Sequence, residues 1–114
     1  MLYDSNSVIR AVSADVLPTD IEAAKIYIKG AVHCFCKNNP SEKFSARTLF
    51  GGENRDWNDT PLQKIYDYYA GNNANDAVNR AAVDVGWLLK TVLAEDKKWT
   101  YNEINGYIKE YRKI

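Results

Sequence analysis

Three threonines in this chain are each followed, three residues on, by Glu or Gln: Thr19-Asp20-Ile21-Glu22, Thr60-Pro61-Leu62-Gln63 and Thr100-Tyr101-Asn102-Glu103. This is the capping-box spacing, in which the threonine hydroxyl takes an orphan backbone N–H and the acid or amide reaches back to the N-cap. Pro61 stands at a first helical position, where its missing donor costs nothing. Phe44-Ser45 with Leu49, and Trp99-Thr100 with Ile104, add hydrophobic staples at two starts. Helix starts this frequent predict an all-α chain, a compact bundle of five or six helices forming a single domain over residues 1–114.

The apolar spacing between those starts agrees. Residues 19–38 carry a stripe of Ile21, Ala24, Tyr27, Ile28, Ala31, Val32 and Phe35, and Asn39-Pro40 ends it. Ala46 to Phe50 make a short helix halted by Gly51-Gly52. A helix over residues 61–70 puts Leu62, Ile65, Tyr66 and Tyr69 on one face before the Asn-rich break at residues 71–75. Residues 76–94 hold the longest pattern, Val78, Ala81, Ala82, Val85, Leu88, Leu89 and Val92. Val83 and Trp87 fall off that stripe, which places this helix at the centre of the fold with neighbours on more than one side. Residues 101–113 read as a final helix with Tyr101, Ile104, Tyr107, Ile108 and Tyr111 on one face. Residues 1–17 are ambiguous: Val8, Val12 and Val16 could make a short helix or an edge strand, and a helix is the expectation.

Composition narrows the function classes. Fifteen basic and fifteen acidic side chains cancel, which argues against a general polyanion binder that gains affinity by releasing counterions. Cys34 and Cys36 would point about 200° apart on a helix, too far to bridge. Free thiols fit a reducing compartment, and neither a secretory leader nor an apolar run of ~18 residues is visible, so a cytoplasmic, non-membrane protein is expected.

No constellation of side chains points to chemistry. His33, Cys34 and Cys36 crowd into one turn without a second ligand pair, so no metal site is expected, and His33 reads as solvated. Asn54, Asp56 and Asn58 resemble the start of a calcium loop, but the glycine and the bidentate Glu that such a loop needs are missing. Asp84 amid Val83, Val85 and Trp87 reads as the partner of Arg80 four residues earlier. No cofactor is expected.

The polar Trp-bearing loop at residues 53–59, held between two helices, is where a small helical domain would carry function. The primary reading is a non-catalytic module that binds a protein partner, or a second copy of itself, through the 53–70 loop–helix region. Arg55, Trp57 and Tyr68 are the contact residues, since interface centres favour Tyr, Trp and Arg. Trp57 has two roles open to it, a projecting contact or a lid folded over the core. An alternative is a DNA-binding regulator with a helix-turn-helix-like segment at 45–70. Thr60, Gln63 and Lys64 would then face bases, with Arg47 and Arg55 on phosphates. Its nine-residue connection exceeds the usual three or four, and Asp56, Asp59 and Asp67 repel phosphate. A carboxylate-based hydrolase or nuclease is the remaining alternative, since Asp56, Asp59 and Asp67 could converge.

Overall fold

The computed structural model of the chain describes residues 1–3, 8–51, 56–73 and 75–114. Four helices form, α1 (Pro18–Asn38), α2 (Ala46–Phe50), α3 (Gln63–Gly71) and α4 (Ala77–Glu95), followed by strands β1 (Tyr101–Ile104) and β2 (Glu110–Lys113). The all-α bundle of five or six helices is therefore wrong. The last predicted helix is an antiparallel hairpin pairing Tyr101 with Lys113 and Glu103 with Tyr111. The described part of residues 1–17 holds no helix.

The local reasons are legible in the caps. Ser45 accepts the Thr48 N–H and starts α2, and Gly51, at φ 83°, ends it in a conformation that a Cβ disfavours. Pro18 occupies the first turn of α1, so that helix begins ahead of the Thr19 capping box and no side chain caps it. Thr60 instead stabilises the turn that precedes α3, accepting the Leu62 N–H. Asparagines close two C-termini, Asn39 donating to Phe35 O and Asn72 to Tyr68 O.

α4 packs on α1, α2 and α3 and buries Ala81, Val85, Leu88, Leu89 and Leu93. α1 presents Ala24, Ile28, Val32 and Cys36, while Tyr27 and Ile26 stay exposed. The hairpin buries Tyr101 and Tyr111. Both of its outer edges are closed by single residues. Tyr101 bridges in parallel to Leu2, donating to Met1 O and accepting the Tyr3 N–H, and Tyr111 exchanges two hydrogen bonds with Phe44. A two-stranded hairpin alone is marginal in water, and these edge contacts supply part of what it lacks. The Phe44 ring completes the junction, 5.6 Å from Phe35 and 6.1 Å from Tyr111 between centroids. Among the described residues no helix is long and apolar enough to cross a membrane.

Candidate binding site

Trp57 takes the second of its two possible roles. Its ring is 6% exposed, and its indole N–H donates to Phe50 O at 2.9 Å. The last carbonyls of a helix lack intrahelical partners, so this bond satisfies the end of α2 and holds the Trp57 ring in the core. Arg55, with Glu53 and Asn54, lies outside the described residues. Tyr68 is half-buried, its ring edge-on to Tyr69 with centroids 5.1 Å apart. In the nucleic-acid set, the Thr60 hydroxyl is engaged internally, donating to Trp57 O, and the Gln63 amide donates to Asp67. Arg47 and Lys64 are exposed.

The strongest electrostatics sit elsewhere, and sequence reasoning missed their partners. Asp84 is buried on α4, where its two oxygens accept the Ser13 and Ala14 N–H groups and the Tyr69 hydroxyl at 2.6 Å. Arg80, an exposed residue, lines the same groove as Asp84, whose described hydrogen bonds go to Ser13, Ala14 and Tyr69 instead. Burial, helped by the bond to Asp84, pushes the Tyr69 hydroxyl up to about 12. His33 is not solvated either. Its Nε2 lies 2.8 Å from the buried Asp96 carboxylate, which can only accept, so that nitrogen carries the proton. Tyr101 and the Lys98 N–H also donate to Asp96. Burial opposes the charged carboxyl, but these three hydrogen bonds outweigh it and hold Asp96 well below the ordinary carboxylate range. Cys36, buried, and Cys34, exposed, are free thiols. Among the described residues no three His, Cys, Asp or Glu side chains are placed to share a metal ion.

Two hollows flank α4 and share Val83 as a common wall. One, about 690 Å³, runs between α3 and α4 and is lined by Tyr68, Asn72, Asn75, Asn79 and Arg80, with Ser13 and Asp84 at its inner end. The other, about 580 Å³, lies between α4, residues 8–10 and β2, with Gly86, Trp87, Leu89 and Lys90 as its floor. The sequence carried one signal for both, the off-stripe positions of Val83 and Trp87. Comparison with protein-family models, curated proteins and solved structures finds no match for this chain.

Proposed function

We propose that this protein is a non-catalytic binding module that seats a protein partner on the groove between α3 and α4, centred on Tyr68. One observation carries the reading. Tyr68 leaves part of its ring in solvent at the margin of a groove that also presents amide and guanidinium side chains, Asn72, Asn79 and Arg80, beside Val83 and the carboxylates of Asp76 and Asp84. A ring held edge-on by Tyr69 loses little rotamer freedom on binding, and amides adapt to either donors or acceptors on a partner backbone. Interfaces draw their affinity from such Tyr and Arg anchors. Trp57 enters this reading as the tie that fixes the approach to α3 rather than as a contact. Its burial moves the contact surface from the 53–59 bend to the Tyr68 side of the same region.

The test is affinity capture with the tagged protein from cells that express it, beside Tyr68→Ala and Arg80→Glu variants. A partner retained by the native chain should be lost from both, each weakening the complex by about 30-fold or more, with melting temperatures within a few degrees of native. Capture that survives both substitutions overturns the proposal. So does a native chain that retains nothing, or one that shifts duplex DNA in a manner abolished by Arg47→Ala with Lys64→Ala.

A further inference from the structure

The second hollow has a chemistry of its own. We propose that the pocket floored by Gly86, Trp87 and Leu89 of α4 binds a small amphipathic anion: a planar apolar body carrying one carboxylate. Its volume, about 580 Å³, falls in the range of small-molecule sites, which are mostly apolar with a few placed polar groups. Val83, Leu89, Tyr111 and the Trp87 ring supply the apolar walls.

Gly86 is the informative residue. Glycine inside a helix costs about 1 kcal/mol against alanine, and nothing in the backbone calls for it here. Gly51 is the glycine with a positive φ among the described residues, whereas a Cβ built on Gly86 meets no atom within 4 Å. Gly30 of α1 has similar room, but it faces solvent; Gly86 is half-buried in the pocket floor. Its missing side chain keeps the pocket open.

Charge selects the occupant. Arg10, Lys90 and Lys109 line the hollow, and among the described residues no Asp or Glu does. Lys90 and Lys109 share one carboxylate behind the wall, that of Glu103, at 3.1 and 3.4 Å. The Arg10 guanidinium lies 5.8 Å from the centre of the Trp87 ring. Among the described residues, the lining carries Arg10, Lys90 and Lys109 with Glu103 as the carboxylate paired to two of them, a positive balance, and apolar walls strengthen the attraction for an entering carboxylate. The apolar body then stacks on Trp87 with its carboxylate toward Arg10 and Lys109.

The probe is 1-naphthoate, followed by calorimetry and by shifts of the Gly86 amide and Trp87 indole in proton–nitrogen spectra. Saturable binding confined to those signals is expected, at least about tenfold tighter than for 1-naphthylmethylammonium, whose charge is reversed. Gly86→Leu should fill the floor and cut affinity at least about tenfold without lowering the melting temperature, because leucine is the better helix former. Should that variant fail to fold, Lys109→Glu on the exposed surface supplies the same test by charge, with a loss of similar size. No saturable shift, equal binding of the ammonium analogue, or undiminished affinity in the variant that folds overturns the proposal. None of these readouts depends on the Tyr68 groove.

Discussion

Single buried polar residues hold together parts of this molecule that lie far apart in sequence. Asp84 satisfies the N–H groups of Ser13 and Ala14 and the Tyr69 hydroxyl, and each donor orphaned in the interior costs about 1–3 kcal/mol. Asp84→Ala should therefore lose about 3 kcal/mol or more in urea unfolding, and a loss below half of that would mean water replaces the carboxylate. The unusual position of Asp84 was legible in the sequence, but its partners were not. Backbone N–H groups 70 and 71 residues away carry no side-chain signature. Asp96 and Tyr69 set pH limits. Asp96 ionises below its ordinary value of 3.8, so its contribution is complete above that pH and is lost as pH falls through the depressed value. Asp96→Asn should remove that acid dependence while lowering stability at neutral pH. Tyr69 runs the opposite way: raised from 10.0 to about 12, it stabilises fully below pH 10 and loses its contribution as pH climbs toward 12. Tyr69→Phe should flatten that alkaline decline, and an unchanged slope would assign it to other groups such as Tyr101 and Tyr111, which burial also pushes up.

At the scale of elements, the four helices could be read from apolar spacing, although of the predicted caps only Ser45 forms, at α2, and the hairpin could not be read. Residues 101–113 satisfy two periods at once. Tyr101, Ile104, Tyr107, Ile108 and Tyr111 make a helical stripe, while Tyr101 and Glu103 on one strand and Tyr111 and Lys113 on the other share a sheet face. The capping box at Thr100 favoured the first period. Asn105-Gly106, a loop signal in the middle of the would-be helix, favoured the second. The two readings differ most at Tyr107, which a helix would bury beside Tyr111. In the hairpin Tyr107 is 106% exposed at the tip and Tyr111 is 2% exposed. Tyr107→Ala should therefore change stability by less than about 0.5 kcal/mol, while Tyr111→Ala costs about 3–5 kcal/mol. Comparable losses at both positions in thermal or urea melts would restore the helix. The edge contacts of Leu2 and Phe44 were beyond sequence reading because an isolated bridge engages a single residue, too short to produce alternation.

Across the whole molecule, α4 and its C-cap carry three buried charges at six-residue intervals, Asp84, Lys90 and Asp96. Each fastens a non-helical part of the chain to the helical layer. Asp84 holds residues 13–14. Lys90 holds residue 8 through its carbonyl and β1 through Glu103, and Asp96 holds β1 through Tyr101. A purely apolar α4 would bury as much surface but would not specify where the hairpin and the N-terminal segment sit, and both proposed binding surfaces depend on that placement. The Lys90–Glu103 pair tests this at an ion pair whose partners are both nearly sequestered from solvent. Removing one member of a buried pair costs about 3–5 kcal/mol. Lys90→Met should fall at the lower end of that range, because Lys109 still faces Glu103 at 3.4 Å. Combining it with Glu103→Met should recover most of the loss, since replacing a whole buried pair with apolar residues is commonly neutral. Val8 is an exposed residue, so its carbonyl, left without Lys90, can turn to water. A double-mutant cycle with a coupling of about 2 kcal/mol is therefore expected. If the two substitutions simply add, the pair does not fasten the hairpin to α4, and the placement of β1 must come from the Asp96–Tyr101 bond, the Leu2 bridge and the aromatic junction at Phe44 and Tyr111.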